Sequence, residues 1–596
     1  MSFPILYVAA VLVFMLVALM RECLRPGLIL FTAVVLLLVA GIISPEEAIK
    51  GFSNKGMITV ALLYLVSEGV RKSGILERIV FRLLPKRNAT VTSAGLRFYP
   101  VVTFISAFFN NTPVVVIFAP MIKNWARKMK LSPTKFLIPL SYATVIGGIC
   151  TLIGTTTNLV LHGMLLQEAK DEAVAVENGA AQGILMRFGI DGMHMFELTK
   201  VGVFIALAGL VYLIFFSKYL LPDERHSDED AEDQNLAPGM TRHEVLLGNR
   251  FPGLGKTLHE FDFYRHYGAH VRAMRRGGVL IPGDYMNTRL THEDTLIIDA
   301  DDSFMKAWGD SRVFWMINRV GDFEPPMGKK RRWLALVLLI LMIIGATVGE
   351  LEPVASLVPS LKLDMFFFAS ITAVIMAWLR MFSPRKYTKF FSWDVLITIA
   401  CAFAISTAMM RSGFANLIAG YIISLTDIVA GTDYGCYIIL AALFLITNLF
   451  TELITNNAAA ALAFPLALAV SERLDANPMP FVVCVCFAAS SAFSTPIGYQ
   501  TNLIVQGVGG YKFRDFVKVG LPMNFIVFIL SVLLIPMFYD MTPTQEPQQQ
   551  AVGTPQGSAA NPAGFQLQPR RVEGTTPCPL SPWVTSFPVS QSTLPS

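Results

Sequence analysis

Ala107-Phe108-Phe109-Asn110-Asn111-Thr112-Pro113-Val114-Val115-Val116, or AFFNNTPVVV, sets three polar residues inside a stretch that is nearly all apolar from Val101 to Pro120. A buried amide or hydroxyl without a partner costs on the order of 2–7 kcal/mol, depending on the reference state. The reason for such a cost lies elsewhere in the chain. Ile454-Thr455-Asn456-Asn457-Ala458 repeats the interruption, and a proline follows at the same distance in each case, Pro120 and Pro465. Further on, Leu152-Ile153-Gly154-Thr155-Thr156-Thr157-Asn158-Leu159 matches Pro496-Ile497-Gly498-Tyr499-Gln500-Thr501-Asn502-Leu503. Lys200-Val201-Gly202 then matches Lys518-Val519-Gly520, and upstream Lys72-Ser73-Gly74 matches Arg411-Ser412-Gly413. Matches that recur in one order mark an internal duplication, where any single one would be weak.

Composition supplies the setting. Of 596 residues, 54% are hydrophobic and only 15% charged, against about 25% charged in a typical soluble domain. With a mean hydropathy of +0.54, the chain reads as an all-α polytopic membrane protein whose solvent is the lipid bilayer. The formal net charge of +5 fits basic cytoplasmic loops and implies no nucleic-acid partner. Seven cysteines form no C-x-x-C pair and read as small hydrophobes in helices. His266 and His270 read as a solvated pair, so no metal site beyond Na⁺ is expected. No nucleophile, metal cluster or phosphate loop points to an enzyme.

Spans of about 20 apolar residues are predicted at Phe3 to Met20, Gly27 to Ile43, Met57 to Val70, Phe136 to Leu165 and Thr199 to Leu221. A second set is predicted at Trp333 to Gly349, Met365 to Leu379, Trp393 to Met410, Phe481 to Val508 and Phe516 to Phe538. The first of them lacks a basic flank and a cleavage pattern, so it reads as a retained helix. Phe98 to Met121 and Tyr434 to Val470, each interrupted by a polar triplet, read as re-entrant hairpins. Basic residues at 21–25, 71–87, 123–135 and 329–332 all fall on one side, taken as cytoplasmic. That places the N-terminus and the C-terminal tail outside.

The domains follow: a first membrane repeat over 1–221, a cytoplasmic insert over 222–332, a second membrane repeat over 333–541 and a disordered tail over 542–596. The insert opens with an acidic linker, DERHSDEDAED. A small α/β domain is expected over 241–302, with strands at Val245 to Leu247, His270 to Met274, Gly278 to Ile281 and Thr295 to Ile298. Five spans are an odd number, so the second half inserts upside down. That is the inverted-repeat plan of a secondary transporter, with its site where broken helices meet at the midplane.

The breaks carry the chemistry. A helix restarting at Pro113 presents free N–H groups and a positive dipole end to an anion. Carbonyls of the preceding half-helix, with Asn111 or Asn456, offer oxygens to Na⁺. Gly154 and Gly498 permit a second break in each half, and Thr157, Asn158, Thr501 and Asn502 add oxygen ligands. Intramembrane charge is sparse. Glu68 and Glu452 are its main members, and Glu452 reads either as a proton-sensitive coupling group or as a structural hydrogen-bonding one. The competing reading of all these polar groups is plain helix packing; duplicated triplets and Gly-x-x-Thr-Asn segments in register favour a site.

At these residues the chain resembles the divalent anion:sodium symporter family, which carries two Ser-Asn-Thr hairpin tips, the second often after Thr-Glu. Asn110-Asn111-Thr112 and Thr451-Glu452-Leu453-Ile454-Thr455-Asn456-Asn457 match in place. The resemblance covers both membrane halves and implies that Asn111 and Asn456 lie between Na⁺ and substrate, with Thr112 and Thr455 near the anion. Asn110 and Asn457 depart from the family's serine and threonine. The candidate substrate ligands are Asn110, Asn111, Thr112, Thr157, Thr455, Asn456, Asn457 and Thr501. The candidate sodium ligands are Asn111, Gly154, Asn158, Asn456, Gly498 and Asn502. The insert resembles the regulatory domain of potassium-channel and uptake subunits, through Gly255-Lys256-Thr257-Leu258, Val271 to Gly277 and the strand at Thr295 to Ile298; it implies a small ligand there. Membrane halves joined by such a domain are most similar to the family's sulfate-transporter-like branch. The resemblance implies sodium-coupled symport of a small divalent anion, sulfate first, by a homodimer. No cofactor is expected beyond Na⁺ as coupling ion, and the plasma membrane is the expected location. A di- or tricarboxylate carrier, a cation/proton antiporter or an arsenite-type exporter are the alternatives.

Overall fold

The structure, a computed structural model, describes residues 3–541 except 22–23, 86–88, 224–239, 277–278, 282–284, 293, 309–310, 312, 320–326, 350–353, 355–362, 383–386, 389, 425–434 and 497. Most of the acidic linker and the tail from residue 542 lie outside the described residues. The main helices before the insert are α1 (Phe3–Met20), α2 (Pro26–Val39), α3 (Lys55–Ser73), α4 (Ile75–Leu83), α5 (Val91–Ser106), α6 (Asn111–Lys128), α7 (Thr134–Gly148), α8 (Thr156–Glu177) and α9 (Thr199–Phe215). Those after it are α10 (Lys329–Gly349), α11 (Met365–Trp378), α12 (Trp393–Arg411), α13 (Phe414–Ser424), α14 (Gly435–Leu453), α15 (Asn456–Leu474), α16 (Met479–Ser490), α17 (Gln500–Gly509) and α18 (Phe513–Phe538).

Each sequence match is a matched local structure. Gly74 ends α3 at φ +68° and Gly413 ends α12 at φ +78°, left-handed positions that glycine takes without a Cβ penalty. The preceding serines act alike. Ser73 donates to Val70 O and accepts from Ile75 N–H, while Ser412 donates to Met409 O and accepts from Phe414 N–H. Gly202 of α9 packs on the backbone of Ile149 and Cys150, and Gly520 of α18 packs on that of Phe493 and Ser494. Small residues allow backbones to approach this closely inside a bundle.

The helices depart from the expected spans in three ways. Phe136 to Leu165 and Phe481 to Val508 are not continuous: α7 gives way to α8 across residues 149–155, and α16 to α17 across 491–499. The helix after the first triplet starts at Asn111, so Pro113 is its third residue and not its first. A proline is equally free there, since the first four N–H groups of a helix have no partner in the helix. Lastly, α14, expected as a hairpin arm, is long and apolar enough to cross a membrane by itself, as are α1, α10, α12 and α18 among the described residues. Glu68 is a structural charge. Its carboxylate takes Arg71 at 2.7 and 2.8 Å and Lys72 at 3.8 Å, all on α3, at spacings that bring helical side chains together.

The insert folds around an antiparallel five-stranded sheet in the order β3-β2-β4-β1-β5. Its strands are β1 (Thr241–Leu247), β2 (His270–Arg276), β3 (Val279–Leu280), β4 (Asp294–Ala300) and β5 (Phe314–Arg319). The sheet therefore runs past residue 302: β5 pairs along β1 from His243–Arg319 to Leu247–Phe314. Its sequence, Phe-Trp-Met-Ile-Asn-Arg, is four apolar residues followed by two polar ones, so it lacks the alternation that marks a half-buried strand. Strand alternation gives β1 two faces. Val245 and Leu247 enter the insert's own core with Phe251, Phe261, Phe263 and Tyr267. Leu246, with Met316 of β5, joins the membrane core.

Far along α8 from its start, Glu168 is half-buried beside Asp171, Glu172 and Glu472. It lies about 18 Å from Thr156 by helical rise, beyond a hydrocarbon half-thickness of about 15 Å. Burial, then the neighbouring carboxylates, push its carboxyl up to about 7, against the pull of Lys50. A carboxyl raised in the folded state penalises the folded protein once it ionises. The penalty is absent below the usual carboxylate range, grows up to about pH 7 and is constant above it. Glu168→Gln is therefore expected to raise the melting temperature at about pH 8 by the equivalent of roughly 1–3 kcal/mol, and to leave it unchanged at about pH 4. Equal melting curves for both proteins at both pH values would refute this.

Candidate functional site

The two triplets sit at matching helix starts. Asn111 opens α6 and Asn456 opens α15, and both side chains are buried. Each amide is gripped by a hydroxyl five residues earlier, at the end of the preceding helix. Ser106 Oγ lies 2.7 Å from Asn111 Oδ1, and Thr451 Oγ1 lies 2.9 Å from Asn456 Oδ1. Sequence reasoning missed Ser106 and Thr451, although the repeat offset aligns them as two hydroxyls.

The second breaks close around the first. Asn158 Nδ2 donates to Gly148 O at 3.3 Å and Thr151 O at 2.9 Å. Asn502 Nδ2 donates to Ala492 O at 2.8 Å and Thr495 O at 3.1 Å, the corresponding carbonyls. Thr151 Oγ1 donates to Ala107 O, tying the loop to the end of α5. Gly154 and Gly498 touch the same region: a Cβ on Gly154 would lie 2.5 Å from Gly148 O and 2.9 Å from Ala107 O, and one on Gly498 would lie 2.6 Å from Thr451 O.

The halves are joined at their helix starts. Asn111 Nδ2 donates to the hydroxyl of Tyr499, the residue before α17, at 2.8 Å. Thr156 and Thr157, the first residues of α8, donate to Asn457 Oδ1 at 3.2 and 3.3 Å. Thus α6 meets α17, and α8 meets α15, N-terminus beside N-terminus. Thr501 lies one layer deeper, where Ser141 of α7 bonds both its hydroxyl, at 2.9 Å, and Asn502 Oδ1, at 2.7 Å. Asn110 and Thr112 flank Asn111, and Thr455 precedes Asn456; all three are half-buried. The bonded candidates therefore meet at these helix starts, with Tyr499 and Thr156 as members that the repeat segments contain but the candidate ligands left out.

Two buried amides here are incompletely bonded. Asn158 Oδ1 has no partner among the described residues: Ser141 of the first half satisfies Asn502, whereas the second half carries Val485 at the corresponding place. Asn456 Nδ2 has none either. Thr451 has one proton and two acceptors, Asn456 Oδ1 and, at 2.5 Å, Ala489 O. Turning the Asn456 amide would let Nδ2 donate to Thr451 and leave Oδ1 free instead. In either orientation one amide atom of Asn456 is buried and unpaired. A donor there suits an anion's oxygen, and an acceptor suits a cation.

The sequence profile of the citrate transporter family matches residues 14–361 and 355–574. An uncharacterized transporter of Synechocystis is 27% identical over 90% of this chain and 97% of its own length. Sodium/sulfate cotransporter 2 of Chlamydomonas reinhardtii is 22% identical over 83% of this chain and 85% of its own. The solved structure of MtrF of Neisseria gonorrhoeae aligns with 84% of this chain and 83% of its own at 12% identity, with a TM-score of 0.44. The protein is an integral membrane transporter. The chain belongs to the citrate transporter family, within the kinship of the divalent anion:sodium symporters.

Proposed function

We propose that this transporter is a sodium-coupled symporter of a small divalent anion, sulfate first. The observation that carries the reading is the meeting of α6 with α17 and of α8 with α15, start to start, around Asn111 and Asn457. Each helix start bears roughly half a positive charge. Four of them together offer about two, matched to a divalent anion without any Lys or Arg among the side chains bonded here. An anion held by dipoles and hydroxyls is easier to release than one held by a guanidinium.

In this reading Asn110, Thr112, Thr157, Thr455, Asn457 and Thr501 supply donors around the anion. Asn111 and Asn456 divide their amides between anion and cation. Asn158, Asn502 and the backbone at Gly154 and Gly498 complete the two Na⁺ positions. The membrane halves are inverted repeats, each with five spans and a hairpin, working as a homodimer in the plasma membrane, and the insert senses a small ligand. The name of the Chlamydomonas relative supports the sodium and sulfate assignments.

Reconstituted into proteoliposomes, the protein is expected to take up sulfate faster under an inward Na⁺ gradient, by about tenfold or more, as for a coupling free energy of about 1.4 kcal/mol. Uptake indifferent to the gradient would overturn the coupling. Thermal stabilisation by succinate, citrate or arsenite in place of sulfate would reassign the substrate to the carboxylate or exporter alternatives.

A further inference from the structure

Beside the second hairpin tip stands a polar cluster that the first half lacks. Glu452 of α14 takes two donors on one oxygen: Ser494 N–H at 2.8 Å and Asn524 Nδ2 of α18 at 2.6 Å, both on Oε1. Asn524 Nδ2 also lies 2.8 Å from Ser494 Oγ, and Thr495 Oγ1 donates to the Glu452 backbone carbonyl at 3.1 Å. The offsets of the sequence matches align Glu452 with Ala107, Ser494 with Cys150 and Asn524 with Ala206. Those three partners form a small separate apolar cluster. The same place in the duplicated architecture is hydrocarbon and thiol in one half, and carboxyl, hydroxyl and amide in the other.

Two atoms of the polar cluster are buried without a partner among the described residues, Glu452 Oε2 and Asn524 Oδ1. Asn524 itself is only 8% exposed. Both atoms are acceptors, so a neighbouring acceptor cannot satisfy them. Glu452 is half-buried, but an enclosed carboxylate oxygen needs a partner for its charge, and no ion pair to Glu452 occurs among the described residues. One proton removes the difficulty. On Oε2 it turns that oxygen into a donor, and Asn524 Oδ1 is the acceptor that lacks one. A proton bridging the two would add, to the existing Nδ2-to-Oε1 bond, the second bond of the ring that carboxylic acids form with carboxamides.

We propose that Glu452 and Asn524 form a proton-binding site in the second membrane half. The proton is held between Glu452 Oε2 and Asn524 Oδ1, next to the hairpin tip that carries Asn456. Few other charged or ionisable groups stand near this site among the described residues. Tyr142 of α7 is near enough for its hydroxyl to feel the Glu452 charge, and it donates to Phe493 O. On α14 itself, Cys436 and Tyr437 lie at the far end. Of the elements packed against α14, α15 carries Glu472 and Arg473 at its far end, α18 carries Arg514, Asp515 and Lys518 near its start, α13 has Tyr421, and α16 has only the thiols of Cys484 and Cys486. In transport the proton would cancel one negative charge of the loaded carrier, making anion uptake respond to pH; this consequence rests on the anion-carrier reading, while proton binding does not.

The test separates the two. Infrared difference spectra of the purified full-length protein in lipid nanodiscs, titrated between about pH 4 and about pH 9 without any anion, are expected to show a protonated-carboxyl band. One component of that band is absent in Glu452→Gln and shifted in Asn524→Leu, which removes the hydrogen-bond acceptor, while the component from Glu168 stays in both. Spectra of Glu452→Gln that match those of the wild type throughout would overturn the site, whatever the substrate. In proteoliposomes, Glu452→Gln, whose amide imitates the protonated acid, is expected to flatten a roughly tenfold pH dependence of anion uptake to less than about twofold. A variant that keeps the wild-type pH profile would overturn the link to transport. An absence of uptake from the wild type would count against the anion-carrier reading, leaving the infrared result to decide the proton site.

Discussion

Gly154→Ala and Gly498→Ala are each expected to reduce transport by roughly a hundredfold or more, the order of loss that follows a displacement of about 1 Å at a reacting or binding centre. Each glycine lies against the backbone at the end of the helix before a triplet. A Cβ at Gly154 would stand 2.5 Å from Gly148 O and 2.9 Å from Ala107 O, and one at Gly498 would stand 2.6 Å from Thr451 O. These atoms belong to main chain, so no rotamer change relieves the clash. The loop must move, and with it Asn158 or Asn502, whose amides bond the same loops. Gly328→Ala, which meets nothing within 4 Å, serves as a control and should transport normally. Uptake of either site variant within about twofold of wild type would show that the loop yields more easily than close-packed backbone should.

Removing a single charge from the joint between the insert and the membrane core should unfold that joint. Glu244 of β1 lies 3.1 Å from Lys123 of α6 and 3.1 Å from Arg275 of β2, and all three are almost fully buried. Leu246, two residues on, packs at Gly507 of α17. Glu244→Ala strands two buried cations, and breaking a buried ion pair in this way costs about 3–5 kcal/mol. Replacing Lys123, Glu244 and Arg275 together by methionine or leucine should cost far less, because desolvated charges largely cancel their own attraction. Thermal melts and limited proteolysis of the single and triple variants measure the difference; a single variant as stable as the triple would contradict it. The insert rests on α6 and α17, the two helices whose starts meet at Asn111 and Tyr499.

The membrane class was legible at once, because a bilayer demands long apolar runs and a soluble chain avoids them. The duplication was legible as well, and its reach was greater than the motifs suggested. Lys-Ser-Gly and Arg-Ser-Gly proved to be matched helix ends, and Gly202 and Gly520 matched contacts on the two break loops. The repeated polar interruptions were legible for the same reason: an amide amid hydrocarbon calls for a partner, and a repeated one for a repeated arrangement. Ends of elements were less so. Pro113 marked the restart of α6 only to within two residues, since any of the first helical positions tolerates proline. The strand β5 escaped because an edge strand with mixed residues has no strong period.

The sequence by itself determined that polar breaks exist, how many times they recur and which residue types they hold. Only the tertiary structure decided what those residues face. Nothing local in Asn111 indicates Tyr499, nor in Asn457 Thr156, because each pair is separated by hundreds of residues and joined only when the two halves pack. Glu68 and Glu452 look alike as lone carboxylates in apolar helices. Packing separates them: Glu68 finds Arg71 and Lys72 on its own helix, whereas among the described residues the Glu452 carboxylate finds Ser494 and Asn524 on one oxygen and nothing on the other. A charge is priced by its surroundings, and in a folded chain those surroundings are supplied from a distance.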